Sequence, residues 1–350
     1  MNDKVYIIIL NYNNWYDTIE CLESVLRNDY PNYQVIVVDN NSQNNSLDYM
    51  KAWADGKVDI CVDPRKPLRN LSFPPIPKPI PYVCYTKDEA EKGGNPDLEE
   101  KLRNNIPQGI TTKYALIFIE NNKNLGFAGG NNVGIRYALA KNDFDSIILL
   151  NNDTVINKNT ISNLVSARLK LGEKAMYGGR IFYYSDPEKI WYDGGKLIEW
   201  KCRTGHLNIG KYKHEKNIPE IKEVDYVTFC CALIPKFIIK KIGLIDESYF
   251  MYFEDVDYSY MVRKSGYKLY HISSVNLWHK VSASVGEESH NLNLNYIETI
   301  NRIRFIITKL PPLKKITSFF SVLSSRRNIM TLLKYSLKKW RGYNKLIPQR

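Results

Sequence analysis

Apolar residues recur along the chain at two different spacings, and the alternation between them lays out the fold. Val5-Tyr-Ile-Ile-Ile-Leu10 is a continuous apolar run that ends in a polar cluster, Asn11-Tyr-Asn-Asn14. Runs of this kind suit strands buried on both faces of a parallel sheet. From about Trp15 to Arg27 the spacing becomes helical, with Ile19, Leu22, Val25 and Leu26 on one face. A second apolar run, Gln34–Val38, stops at Asp39-Asn-Asn-Ser42. Strand, helix and strand in this order predict a βαβ unit, and with it an α/β fold.

The same reading places strands at Tyr114–Ile119, Ser146–Leu150 and Val224–Ile234. Helices are expected at Asn159–Leu171, stopped by Gly172, and at Lys236–Ile242. A glycine-rich turn, Asn124-Leu-Gly-Phe-Ala-Gly-Gly-Asn-Asn132, leads into a helix near Val133–Ala140. Phe250-Met-Tyr-Phe-Glu-Asp-Val-Asp257 opens a helix that runs to about Lys264, with Gly266 as its stop. The pattern breaks at Asp63–Gly109, where prolines crowd the first half and charge the second. This segment reads as an insertion or long loop with a short helix at Leu98–Asn104. Gly178–Gly195 reads as turn glycines among aromatics, and polar, basic Lys201–Glu223 as a mobile loop.

Composition changes the picture mainly at the C-terminus. The net charge is +12, yet Thr299–Arg350 holds 13 Lys and Arg and no acid, so the rest of the 350 residues are near neutral. Residues 1–310 are expected to form one large domain and 311–350 a tail. In the tail Ile316, Phe319, Phe320, Leu323, Met330, Leu333, Leu337 and Trp340 recur at roughly helical spacing among basic residues. A basic amphipathic helix suits an anionic membrane surface. Nucleic acid is the rival partner for such charge, but no nucleic-acid-binding motif accompanies it. No apolar run approaches the roughly 18 to 20 residues a span requires. With no leader pattern at the N-terminus, the chain is expected in the cytoplasm, peripheral on the inner face of the membrane. The six cysteines are scattered without a CxxC pair and are expected to be reduced.

Candidate chemistry gathers where strands end. Asn11–Asn14, Asp39–Ser42 and Asn151-Asn152-Asp153 each follow an apolar run. Taken singly, each cluster also reads as a solvated turn. Three in register converge on the crevice at the carboxyl ends of the strands, where open α/β sheets bind ligands. Asp153 is the strongest metal candidate there, since Mg²⁺ or Mn²⁺ at a phosphate site takes one or two carboxylates. The glycines from Gly126 to Gly134 would let backbone amides approach a diphosphate. Glu254, Asp255 and Asp257 sit at a helix start, where acids complement the helix dipole and where a general base would stay ionised. His279 follows a strand-like stretch and is either structural or a metal ligand.

Together these residues resemble family 2 glycosyltransferases of the GT-A fold, in particular the rhamnosyltransferase-like branch. The resemblance rests on Ile9-Leu-Asn-Tyr-Asn13, Val37-Val-Asp-Asn-Asn-Ser42, the Asn124–Asn132 turn and Leu150-Asn-Asn-Asp-Thr154. It continues through Gly243-Leu-Ile-Asp-Glu247, Tyr252-Phe-Glu-Asp-Val-Asp257, Trp278-His279 and Asn301-Arg302. It implies a mostly parallel central sheet flanked by helices, with a helical tail. It implies that Asn11, Asp39, Asn40, Asn124, Gly126, Gly130, Asn131 and Asn152 bind the nucleotide-sugar. Asp153 would match the last position of the family's D-x-D metal motif, with His279 completing the shell and Asn151 at the first position. Asp255 would match the catalytic base, with Glu254 beside it near the acceptor. The implied reaction is inverting transfer of a sugar, such as rhamnose or another hexose, to a hydroxyl of a glycan or lipid-linked acceptor. Two other readings stay beside it: a sugar nucleotidyltransferase, against which Asn11–Asn14 offers neither Gly nor Lys, and an inactive membrane-associated scaffold.

Overall fold

The apolar runs pair as the patterning requires, and their neighbours decide where a ligand can sit. A computed structural model of the chain describes residues 3–60, 62–103, 105–215, 219–281 and 288–324. Strand β1 (Val5–Asn11) leads through helix α1 (Trp15–Val25) to β2 (Tyr33–Asp39), which lies parallel to β1 with Asn11 beside Asp39. Helix α2 (Ser46–Ala54), β3 (Tyr82–Thr86), α3 (Lys87–Ala90), α4 (Pro96–Arg103) and β4 (Leu116–Glu120) follow. Helix α5 (Gly126–Lys141) then returns the chain to β5 (Ser146–Asn151), which pairs parallel with the other edge of β1.

The second half mixes parallel and antiparallel pairing. It contains β6 (Thr154–Ile156), α6 (Thr160–Leu171), β7 (Ala175–Tyr183), β8 (Asp186–Tyr192) and a small hairpin of β9 (Gly195–Ile198) and β10 (Arg203–His206). Then come β11 (Ile221–Glu223), β12 (Cys231–Pro235), α7 (Lys236–Ile242), α8 (Glu254–Lys264), β13 (Lys268–His279), α9 (Glu288–Lys309) and α10 (Pro312–Ser324). The sheet order is β11-β13-β7-β12-β5-β1-β2-β4-β3, with β7 and β13 parallel to each other and β12 running antiparallel to both β5 and β7. Because β1 feeds β2 on one side and receives β5 on the other, the sheet reverses its winding there. A crevice therefore opens at the carboxyl ends of β1 and β5.

Alternate residues of the parallel strands enter two cores. Ile7, Ile9, Val35, Val37, Ile148 and Leu150 pack under α1, α2 and α6. Tyr6, Ile8, Ile36, Val38, Ile147 and Leu149 pack under α5 and α7. Both faces being covered is what an unbroken apolar run requires.

Four expectations change. The Asp63–Gly109 segment supplies an edge strand, β3, paired parallel with β4, and helix α3, while α4 stands where the short helix was expected. Val83 and Tyr85 are buried at alternate positions, and Thr86 with Glu89 forms a complete capping box, a local T-x-x-E signal. Helix α5 begins at Gly126 rather than near Val133, because its glycines let it lie on β1. A Cβ at Gly130 would fall 2.4 Å from Leu10 Cδ1, and one at Gly134 2.7 Å from Ile8 Cγ2. Gly178 and Gly179 lie inside β7, and Arg203–His206 of the presumed loop is a strand. Gly130→Val should therefore destabilise the fold by about 1–3 kcal/mol through overpacking. Urea unfolding measures this, and an unchanged midpoint would show that the helix can move off β1 freely.

Candidate active site

The loops after β1 and β2 are asparagine-rich because the backbone there turns left-handed. Asn13 has φ +54° and Asn41 φ +64°, a region that asparagine tolerates better than most residues. The side chains then knit the two loops. Asn11 Nδ2 donates to Asp39 Oδ1 at 2.6 Å and to Ser42 Oγ at 3.1 Å. Ser42 donates through its hydroxyl (2.6 Å) and its N–H (2.9 Å) to the two oxygens of Asp39. Three of the roughly four acceptor positions of the carboxylate are thus filled, leaving about one for a ligand hydroxyl or amide.

Asn40 organises the neighbouring turn. Its amide donates to Asn124 Oδ1 at 2.8 Å and Gly126 O at 3.1 Å, while its oxygen accepts from Asn121 Nδ2 and Leu125 N. Gly126 has φ +72°, and its N–H bonds Asn124 Oδ1 at 2.9 Å. Not every predicted residue faces the crevice. Gly130 faces Leu10, and the buried Asn131 amide bonds back to Phe127 O at 2.9 Å. Asn152 donates to the Thr18 hydroxyl at 2.9 Å, and Thr18 in turn donates to Asn11 Oδ1 at 2.9 Å. These three residues brace the scaffold.

The third cluster bends between β5 and β6. Antiparallel pairing of β6 with β13 sets His279 opposite Thr154, one residue from Asp153. His279 Nε2 lies 3.0 Å from Asp153 Oδ1, and Lys280 N–H donates to Asp153 O at 3.0 Å. Burial alone would raise the Asp153 pKa, but the adjacent His279, a backbone hydrogen bond and Lys280 together hold the carboxyl below its ordinary value. Asn151 Oδ1 is buried with no hydrogen-bond partner, and so is His279 Nδ1. Among the described residues no cluster of three His, Cys, Asp or Glu exists to cage a metal. A carboxylate, an imidazole and an orphaned amide oxygen nonetheless fit a Mg²⁺ or Mn²⁺ site that takes its other ligands from phosphate and water.

On the far side of the crevice, Glu254 and Asp255 open α8. Asp255 receives Val256 N–H at 2.7 Å, together with the Thr228 hydroxyl and Phe229 N–H. Burial pushes its pKa up to about 6, against the pull of those donors. Glu254 is buried with Oε2 unpartnered, and burial, then the charge of Asp255, raises it well above the carboxylate range. Adjacent carboxyls whose surroundings push their pKa values apart can divide the roles of base and neutral donor.

Residues 228–230 join the two halves of the site. Phe229 N–H reaches Asp255 while Cys230 O accepts Asn151 N–H at 3.0 Å. The expected Val224–Ile234 strand is regular only from Cys231, because Thr228 and Phe229 turn to bond Asp255. Thr228, Phe229 and Trp191, whose ring centroid lies 4.6 Å from that of His279, carry no local sequence signal. Only the tertiary contacts identify them.

The sequence profile described as "Glycosyl transferase family 2" matches residues 6–68 and 99–243 and passes over most of the segment that builds β3 and α3. The low-salt glycan biosynthesis hexosyltransferase Agl10 of Haloferax volcanii is 27% identical over 187 residues, covering 51% of this chain and 57% of that protein. An N-acetylglucosaminyl-diphospho-decaprenol L-rhamnosyltransferase of Mycobacterium tuberculosis is 25% identical over 155 residues, 41% of this chain and 50% of the relative. The chain thus spans about half the length of the curated relatives it matches. Among solved structures, a mannosyltransferase of Pyrobaculum calidifontis in complex with GDP-Man and Mn²⁺ superposes with a TM-score of 0.50 at 14% identity, covering 98% of this chain and 76% of its own. GalNAc-T7 with UDP, GalNAc and Mn²⁺ gives a TM-score of 0.51 at 12% identity, covering 98% and 58%. These likenesses show the GT-A architecture. By the profile match over more than half its length, the chain belongs to glycosyl transferase family 2.

Proposed function

We propose that residues 1–310 form an inverting glycosyltransferase that moves a hexose, with rhamnose the leading candidate, from a nucleotide-diphosphate sugar to a hydroxyl of a glycan or lipid-linked acceptor. The observation that carries this reading is the bridge at residues 228–230, which ties the Asn151–Asp153 triplet to the Asp255 carboxyl across one crevice. A divalent cation held by Asp153, His279 and Asn151 Oδ1 would offset charge gathering on a departing diphosphate. Asp39, braced by Asn11, stands at the end of the crevice where the nucleoside would lie. Asp255 takes the proton of the acceptor hydroxyl as that oxygen attacks the anomeric carbon in line with the leaving group. Glu254, kept neutral, can donate a hydrogen bond to the incoming sugar.

Calorimetry of the purified protein against a panel of nucleotide-sugars, with Mg²⁺ or Mn²⁺, tests the reading and names the donor. Binding of one donor only when metal is present supports it. No binding of any nucleotide-sugar under either metal overturns it and leaves the scaffold reading.

The same proposal sets the enzyme on an anionic membrane surface. No described helix is long and apolar enough to cross a bilayer. Helix α10 packs Ser318 and Val322 inward and pairs Lys314 with Glu199, yet presents Leu313 (82% exposed), Ile316 (58%) and Phe320 (69%) along its outer side. Met330, Leu333, Leu337 and Trp340 lie outside the described residues. Removing Thr317–Arg350 would also strip the packed Ser318 and Val322, so Ile316→Asp with Phe320→Asp is the cleaner variant. Losing two apolar anchors of roughly 1.5–3 kcal/mol each should weaken sedimentation with anionic vesicles on the order of 10²- to 10⁴-fold. Unchanged sedimentation refutes the docking face.

A further inference from the structure

The turn that delivers the two carboxyls, Phe250–Phe253, is strained and is held from both sides. Tyr252 has φ +67° and Phe253 φ +77°, left-handed values at two consecutive residues that are not glycine. Such backbone persists only where surrounding contacts enforce it. On one side, Asn301 of α9 uses both hydrogens of its amide, donating to Met251 O at 2.9 Å and Tyr252 O at 2.8 Å. Phe305, one helical turn on, sets its ring against Phe253 with centroids 5.3 Å apart. On the other side, Phe127 N–H of α5 donates to Phe250 O at 2.6 Å. Gly126 permits that approach, since a Cβ there would lie 2.3 Å from the same oxygen. The three successive carbonyls of Phe250, Met251 and Tyr252 are thus gripped just ahead of Phe253 and Glu254.

We propose that Asn301 is a positioning residue, locking the left-handed turn so that Asp255 points at the acceptor hydroxyl. The inference rests on the reading of Asp255 as the base. Among side chains of this size only an amide supplies two donors to two carbonyls, and an isosteric carboxylate would set an oxygen against both. Asn301 touches neither Asp39 nor Asp153, so donor binding should not depend on it.

The test compares Asn301→Asp and Asn301→Ala with wild type, well below their melting temperatures. The measurements are kcat, acceptor KM, donor affinity by calorimetry, and hydrogen exchange of peptides spanning 250–257. A base misplaced by about an ångström should lower kcat on the order of 10²-fold. Donor affinity and KM should stay within about threefold, and faster exchange should be confined to 250–257. If Asn301→Asp fails to fold, Asn301→Ala carries the comparison. A kcat within about twofold of wild type in a folded variant overturns the proposal. So does a fall in kcat matched by equal loss of donor affinity and faster exchange throughout, which marks a structural role alone. Should wild type transfer no sugar at all, the proposed function fails, and the exchange data still decide whether Asn301 holds the turn.

Discussion

Replacing Asp255 with asparagine is expected to slow sugar transfer on the order of 10²- to 10⁴-fold while nucleotide-sugar binding persists. Asparagine keeps the shape of the side chain, and its one oxygen can accept from two of the three donors while the Thr228 hydroxyl turns to accept from its amide, but it cannot take a proton from the acceptor. The effect should therefore appear in kcat, with donor affinity by calorimetry near that of wild type. The pH profile adds a sign. A carboxyl raised to about 6 is protonated, and inactive as a base, below that value, so the wild-type rate should climb as pH rises through it. The residual activity of Asp255→Asn should lack that limb. Equal rates in the two proteins would remove Asp255 from the mechanism.

Replacing Asp153 with alanine is expected to act on the other half of the reaction. Asp153 is the one carboxylate in the Asn151–Asp153 triplet, and its oxygen lies against His279 Nε2 at 3.0 Å. Without it, the imidazole and the orphaned Asn151 oxygen offer no anionic ligand. Metal-dependent donor affinity should fall at least about tenfold and transfer on the order of 10²-fold or more, as loss of charge stabilisation on the leaving group implies. Asp153→Asn should behave like the alanine variant if charge matters, and like wild type if only hydrogen bonding does. A donor isotherm that keeps its affinity and metal dependence after Asp153→Ala would show that no cation is held there. The two substitutions thus separate the chemistry: one slows transfer with the donor bound, the other loosens the donor itself.

Much of this arrangement was legible in the sequence because it is local. An unbroken apolar run specifies a strand covered on both faces, and a polar cluster at its end specifies where that strand stops. Lys236–Ile242 and the helix after Phe253 lie where their spacing and glycine stops put them. The edge strand Tyr82–Thr86 was obscured because prolines and charge surround a short alternation. The early start of α5 was obscured because glycine is read as a turn former, whereas Gly130 and Gly134 are there to let a helix approach Leu10 and Ile8.

The sequence by itself determined which residue types stand at the strand ends, the carboxyl pair at the head of α8 and the basic, amphipathic C-terminus. Tertiary structure decided which of those residues can meet a ligand. Asn131 and Asn152, like Asn11, turn their amides into the scaffold, whereas Asn151 Oδ1 is left without a partner. His279 reaches Asp153 only through antiparallel pairing between segments more than 100 residues apart, and Asp255 meets Thr228 and Phe229 across the same fold. Hydrogen bonds and charge act over a few ångströms, whereas sequence patterns report only what lies along the backbone. The identity of a site's groups is therefore written locally, and its geometry appears only when distant strands close on one another.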